Sequence, residues 1–381
     1  MEAKLREIPP KHFSSQREFP GTTGNTFDRI LHFDESISTV PSIVWVILYT
    51  VLAVLCSHFN TALAAILLLF MATDALLLRG LPLLKRSFGP VRPVWLTLEP
   101  LRFLFWLIPM PVNLIFEIIG SLLIIYGFYF EPLSVRKRTV DIQDPKLPAG
   151  TSLKILHFGD LHMERFTVRE QKILAFIEQE KPDLILFSGD LLNLTYLHDP
   201  VAHLDMKKFL NQLHAPLGIW GVKGSPAVDL PELFPSLIEN TPLKLLEDQQ
   251  ILIRSGDAQI DLVGLTCSHN PDTDHARLSS FFHNSSHFSI LLHHSPDIAP
   301  LTCNDGFDLQ LSGHTHGGQI RIPGLGALFT GSLYGKQLES GIYQLREMLL
   351  FVTRGIGLEG AIAPRVRVFC PPEIMFITLH A

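Results

Sequence analysis

The sequence predicts an α/β domain of two packed sheets with helices outside, preceded by an N-terminal membrane-associated helical region. Three observations predict this. The 381-residue chain is 47% hydrophobic and only 18% charged, against about 25% charged in ordinary soluble domains. Long apolar runs concentrate before residue 130. Beyond residue 150, short apolar strand signals first alternate with helical spacing and then crowd together, the pattern of sheets covered by helices. The net charge of −6 lacks the basic footprint of a nucleic-acid binder, so no nucleic-acid partner is expected. Cys56, Cys267, Cys303 and Cys370 lie far apart and form no CxxC pair, which excludes a zinc ribbon and a dense disulfide framework.

Residues 1–41 are polar and mixed in charge, with no apolar core or small-residue cleavage site of a signal peptide. Ser42–Leu78 then carries a single charged residue, Asp74. It is too long for one span of about 20 residues. The polar cluster Ser57-His58-Phe59-Asn60 divides it, which predicts a hairpin of two membrane helices over 42–78. A basic loop follows with Arg79, Lys85, Arg86, Arg92 and Arg102. Phe103–Phe128 is again apolar but broken at Pro109-Met110-Pro111. The positive-inside rule wants both the 79–102 loop and Arg136-Lys137-Arg138 on the cytoplasmic side. A Pro-broken 103–128 element that does not cross satisfies it and leaves the C-terminal domain in the cytoplasm. Residues 129–149 read as a linker whose basic run either meets anionic lipid headgroups or is simply solvated.

Residues 150–381 read as one globular α/β domain. Leu153–Phe158 and Asp183–Phe187 are buried-strand signals, each running into Gly-Asp. Val168–Glu180 and Pro200–Leu213 read as helices. Leu217–Val222, Ile251–Ile253, Ile260–Leu265, Ser289–Leu292, Leu309–Leu311, Gln319–Ile322, Met348–Thr353 and Val366–Phe369 are further strand signals.

The chemistry gathers at strand ends, where ligands sit in α/β sheets. Fourteen of the 17 histidines follow residue 150. One strand ends Gly159-Asp160-Leu161-His162, a second Gly189-Asp190-Leu191-Leu192-Asn193, a third His293-His294-Ser295-Pro296, a fourth Gly313-His314-Thr315-His316. In extended chain, residues i and i+2 point the same way. Asp160 with His162, and His314 with His316, could then each aim two donors at one point, while only one of His293 and His294 could face it. Any one such motif is more often a turn or a core histidine than a ligand. Four in sequence, mixing imidazole and carboxylate, suit borderline divalent ions such as Mn²⁺, Fe²⁺ or Zn²⁺. They outnumber the three protein ligands of one catalytic zinc and fit a pair of metals that activates water for phosphoryl transfer.

Taken in order, Asp-x-His, Gly-Asp-x-x-Asn, His before x-Pro and Gly-His-x-His resemble the motifs of the calcineurin-like metallophosphoesterases, over roughly residues 150–380. Gly313–Ile320, Thr353-Arg354-Gly355-Ile356-Gly357 and Cys370-Pro371-Pro372-Glu373-Ile374 resemble its membrane-anchored bacterial subgroup. The resemblance implies a four-layer α/β/β/α sandwich and two divalent metal ions, Mn²⁺ in the usual case. It implies Asp160, His162 and His316 on the first metal, Asp190 bridging, and His294 and His314 on the second, with Asn193 orienting a catalytic or ligand group. One motif departs. Ser225 and Pro226 stand where the family has Asn and His. A serine oxygen is a short, weak ligand, and proline has no proton for a leaving group. Lys223, His198, His203, His269 or His293 could supply the missing charge, and the sequence does not choose. A leaving group that needs little protonation is then favoured, as in a pyrophosphate diester. The arrangement also resembles enzymes of lipid A biosynthesis that cleave UDP-2,3-diacylglucosamine to UMP and 2,3-diacylglucosamine 1-phosphate. That implies a lipid-linked nucleotide sugar as substrate and the bilayer of a bacterial inner membrane as partner. Alternatives are another lipid phosphate, or a metal-binding scaffold without activity.

Overall fold

The computed structural model describes residues 4–10, 36, 39–281, 286–358, 362 and 364–381. Most of the 1–41 segment therefore lies outside the described residues. Between residues 42 and 125 the described chain forms four helices: α1 (Ser42–Cys56), α2 (Thr61–Leu83), α3 (Val91–Phe105) and α4 (Val112–Ile125). The Ser57–Asn60 turn separates α1 from α2, and Asn60 caps α2 by accepting from Leu63 N. α2 and the continuous helical stretch Val112–Leu133 are long and apolar enough to cross a membrane.

One expectation fails in this region. The basic 79–102 segment is not all loop, because α3 begins at Val91. Arg102 is buried rather than part of a basic surface. Its guanidinium pairs with Asp74 at 2.7 Å and Glu117 at 2.8 Å, a satisfied buried ion pair of the kind that survives in an apolar setting. The 103–128 element is interrupted at the prolines, as its sequence implies. α3 ends at Phe105, and α4 begins only after the Pro109–Pro111 break.

The described residues form fifteen strands: β1 (Lys4–Leu5), β2 (Arg136–Gln143), β3 (Ser152–Phe158), β4 (Leu184–Phe187), β5 (Ile219–Gly221), β6 (Leu243–Leu245), β7 (Gln249–Ser255), β8 (Ala258–Leu265), β9 (Phe288–His293), β10 (Leu309–Ser312), β11 (Arg321–Ile322), β12 (Gly326–Ala327), β13 (Gly341–Leu345), β14 (Met348–Val352) and β15 (Glu373–His380). Helices α5 (Val168–Glu180), α6 (Pro200–Leu210), α7 (Phe234–Ile238), α8 (Pro271–Leu278) and α9 (Ala299–Thr302) complete the domain. One sheet has the order β2-β15-β3-β4-β5-β6 and the other β1-β13-β14-β10-β9-β8-β7, with β11-β12 a separate hairpin.

Period-two alternation builds the layers. Leu153 and Ile155 of β3 pack between the sheets with Leu262, Leu292, Leu311 and Phe351. Leu156 and Phe158 of the same strand face the other way, onto Ile173 of α5 and Phe209 of α6. On the far side Leu291 and Leu350 pack with Leu278 of α8 and Ala299 of α9. The result is the α/β/β/α sandwich. Full burial of each such aliphatic side chain stabilises by about 1.5–3 kcal/mol.

Three stretches depart from the sequence reading. Arg136–Gln143 is not linker but an edge strand, pairing parallel with β15 from Glu373↔Arg136 to His380↔Gln143. Edge strands commonly carry charge on their open side, and this one presents Arg136 there. β15 itself is a central strand, hence its unbroken apolar middle. Val366–Phe369, in contrast, is a loop with one isolated bridge, Val368 to Ile320.

Candidate metal centre

The strand ends β3, β4, β9 and β10 deliver Asp160, Asp190, His294 and His314 to one place, all but His314 fully or nearly fully buried. Three donor groups overlap there. Asp160, His162 and His316 form one, Asp160, Asp190 and His294 the next, and His269, His294 and His314 the third, each with ligand atoms within 4.8 Å of one another. His162 Nε2 lies 3.1 Å from His316 Nε2. Two donors about 2.1 Å from one ion at a right angle lie about 3.0 Å apart, so this pair fits a shared cation. Asp190 Oδ2 is 3.3 Å from His162 Nε2 and 3.4 Å from His294 Nε2, which sets it between the two ends of the cluster.

The backbone that achieves this is not the extended chain expected from i, i+2 spacing. Asp160, His162, Asp190, His269, His314 and His316 all have positive φ, between 39° and 71°. Such a conformation is uncommon for a residue with a side chain, and its clustering here marks a functional site. Close backbone approach sustains it. A Cβ on Gly224 would lie 2.1 Å from Asp190 Oδ1, and one on Gly313 2.6 Å from Asp160 Oδ2. Asp229, missed in the sequence, ties the loops together. Its carboxylate accepts from the backbone N–H groups of Asp190 (2.7 Å), Leu191 (3.0 Å) and Gly224 (2.7 Å).

Hydrogen bonds aim the rings. His294 Nδ1 lies 2.8 Å from Ser188 O and donates to it, leaving the Nε2 lone pair toward the cluster. His293 faces away, with Nδ1 on Ser295 O and Nε2 3.2 Å from Asp274. Burial holds His316 well below the ordinary imidazole range and lowers His294 too, so both stay neutral and able to ligate. Burial and the adjacent Asp190 push Asp160 up to about 7. Asp190 is itself buried, yet the surrounding His294 and His162 rings and the Ser225 N–H hold it low.

At the departing motif, Ser225 N donates to Asp190 Oδ1 at 2.7 Å. Its hydroxyl lies 3.3 Å from Asp190 Oδ2, 3.2 Å from His294 Nε2 and 3.1 Å from His269 Nε2. Of the histidines and lysine left open by the sequence, His269 is the one brought to the cluster. Lys223 pairs with Glu247, His203 bonds Leu197 O, and His198 is exposed. No short motif marks His269, which arrives from the loop after β8.

Asn193 is not among the clustered donors. Its amide donates to Leu358 O at 3.0 Å and its oxygen accepts from Thr195 N and Arg365, both at 3.0 Å. These bonds tie it to the 358 loop and to Arg365. Two arginines on the stretch misread as a strand and just before it do related work. Arg365 reaches Glu164 at 2.7 Å. Arg367, fully buried, donates to the carbonyls of Arg354, Gly357 and Cys370. That clamps a loop whose Gly357 N–H in turn reaches Asp160 O at 2.6 Å.

Residues 153–318 match the family model described as calcineurin-like phosphoesterase. The uncharacterized metallophosphoesterase YkuE of Bacillus subtilis is 33% identical over 269 residues, covering 67% of this chain and 89% of that protein. The chain belongs to the calcineurin-like phosphoesterases. Phosphodiesterase YaeI of Escherichia coli is 29% identical over 268 residues, 67% of this chain and 92% of its own length. UDP-2,3-diacylglucosamine pyrophosphatase LpxG of Chlamydia trachomatis is 25% identical over 310 residues, 66% of this chain and 91% of its own. As a calcineurin-like phosphoesterase this chain is a hydrolase of phosphate esters or anhydrides that works with divalent metal ions, and the donor groups above suit such ions.

Proposed function

We propose that the protein hydrolyses the pyrophosphate bond of a lipid-linked nucleotide sugar at a membrane, UDP-2,3-diacylglucosamine being the first candidate. The observation that carries the reading is the chain of three donor groups joined through Asp160 and His294, with Asp190 between them, which suits two cations side by side. The relative LpxG supports the substrate by its name, and the apolar helices α2 and Val112–Leu133 support a membrane setting; a cytoplasmic catalytic domain rests on the basic residues of the sequence alone. Asp160, His162, His316 and Asp190 would hold the first ion. Asp190, His294, His314 and His269 would hold the second, with His269 in place of the family's asparagine. When bound, two divalent cations supply charge neutralisation for the phosphoryl group and an acidified water. Mn²⁺ is the candidate ion, and the abundance of imidazole equally suits Fe²⁺ or Zn²⁺.

The chain's own residues limit the rest. Pro226 has no proton to donate. Lys223, His203 and His293 are each committed to a partner elsewhere. A leaving group that departs as a phosphate anion needs no acid, whereas an alkoxide does. That favours a pyrophosphate over an alkyl phosphate monoester. Incubating the purified full chain with UDP-2,3-diacylglucosamine and Mn²⁺ should release UMP. Turnover of an aryl phosphodiester with no UMP would refute the substrate and leave the hydrolase.

A further inference from the structure

The hairpin β11–β12 leaves the metal centre directly, three residues after the Gly-His-x-His-Gly-Gly run. It is tied at its base. Arg321 N donates to Val368 O at 2.9 Å, Arg321 pairs with Glu339 at 2.7 Å, and Ala327 N donates to the same carboxylate at 2.9 Å. Its register, Arg321↔Ala327 and Ile322↔Gly326, leaves Pro323, Gly324 and Leu325 at the tip. This anchored tip is apolar and bare. Ile322 is 44% exposed, Leu325 58%, Leu328 42% and Phe329 52%. Elsewhere beyond Arg136, the exposed large apolar side chains among the described residues are Val168, Val201, Leu204 and Phe369. Half of all such exposure thus falls in one eight-residue stretch, a concentration that marks an interaction surface.

Two further features say what covers it. The patch continues into the helical region. Ile320 and Val368 at the hairpin base pack with Ile124 and Phe128. Phe369, 47% exposed, meets Tyr126, and Phe130 at the end of the long apolar helix is 60% exposed. The patch also borders the open side of the metal centre. A Cβ on Gly331, two residues past Phe329, would lie 3.1 Å from His314 Nε2, and His314 is the least buried of the clustered donors.

We infer that the β11–β12 hairpin dips into the hydrocarbon of the bilayer beside the Val112–Leu133 helix, so that an acyl chain can pass from membrane to metal centre along Leu325, Leu328 and Phe329. The occupant is bilayer lipid. This rests on the membrane reading above and identifies the lipid-borne part of the substrate as the part the hairpin meets. Apolar side chains of this kind, rigidly held next to a span, bury in the interfacial region as an amphipathic anchor does.

The test is photolabelling of the full chain reconstituted in phosphatidylethanolamine–phosphatidylglycerol vesicles, doped with a phospholipid carrying a diazirine on its acyl chain. After irradiation and trypsin, lipid adducts are expected on the peptide Ile322–Lys336 as well as on peptides of α2 and Val112–Leu133. Adducts on the helices with none on Ile322–Lys336 overturn the inference. In a second measurement, the double variant Leu325→Glu, Phe329→Glu should raise KM for a vesicle-borne phosphodiester about tenfold and leave kcat/KM for a water-soluble aryl phosphodiester unchanged. Equal loss on both substrates, or on neither, counts against it. Labelling without any UMP release would sink the substrate proposal and spare the hairpin.

Discussion

Replacing His269 with alanine isolates the part of the centre that departs most from its family. His269 belongs to a group of three imidazoles whose ligand atoms lie within 4.8 Å of one another, a group that shares no residue with Asp160–His162–His316. Its other nitrogen, Nδ1, lies 3.8 Å from Cys267 Sγ, which orients the ring. Removing it leaves Asp190, His294, His314 and the Ser225 hydroxyl. Loss of a mere hydrogen-bond partner to a ligand already costs about 10–100-fold in metal affinity. Loss of a direct donor should therefore weaken the second ion at least about 100-fold, or about 2.8 kcal/mol. The first ion should change less than about threefold, being held by other side chains. Calorimetric titration of the metal-stripped protein with Co²⁺ resolves the two events, and the visible spectrum of the second should lose intensity or shift. Ser225→Asn should add little to the parent chain, because the place is filled. In the His269→Ala background it should restore much of the loss, by returning an amide oxygen beside Asp190. Two undiminished binding events in His269→Ala, in a protein that melts at the parent temperature, would refute the assignment.

Three other outcomes follow from the same geometry. Asp190→Ala should cut hydrolysis by at least about a thousandfold with the circular dichroism spectrum unchanged, since Asp190 Oδ2 sits between His162 and His294; activity within a few-fold of the parent would end the two-cation reading. Burial and the charge of Asp190 raise Asp160 to about 7, so near pH 6 the metal-free protein holds a proton there that a cation must expel, about one per chain. Calorimetry in buffers of different ionisation enthalpy counts it, and a zero slope contradicts the reading. The sign for stability is opposite. The contribution of Asp160 to the metal-free fold is fully present below the carboxyl's ordinary value of 3.8 and is lost as pH rises through about 7. Arg365→Met should cost about 3–5 kcal/mol in denaturant melts, because Glu164 would remain nearly buried without its guanidinium partner at 2.7 Å; a loss below about 1 kcal/mol would show that Phe88 N–H, also on Glu164, suffices.

Much of the catalytic domain is legible in its sequence because buried strands advertise themselves. Leu153–Phe158 and Leu309–Leu311 are short apolar runs that stop at glycine, and those stops are where the donors stand. Legibility fails where charge and secondary structure part company. Arg136–Gln143 opens with three basic residues and one threonine, which reads as linker, yet it is an edge strand with Arg136 exposed and Arg138 mostly covered beside Glu373. Val366–Phe369 reads as a strand from its alternation, but its arginine points inward to collect loop carbonyls. A guanidinium's five donors suit it to that work, and no periodicity reports it.

The centre shows the same division more sharply. Asp160, His162, Asp190, His294, His314 and His316 could be named from their motifs, but most of them do not stand on extended chain. Five of those six have positive φ. Left-handed backbone just past β3, β4 and β10 sets these donors, an arrangement sustained only where neighbouring loops hold it, as Asp229 and Gly224 do around Asp190. Spacing along the chain therefore located the donors for a reason that was wrong in detail. His269 shows the cost of that. It shares the left-handed backbone at a φ of 60° and arrives at the cluster from the loop after β8, but stands in no short motif, so only the fold could bring it to Ser225.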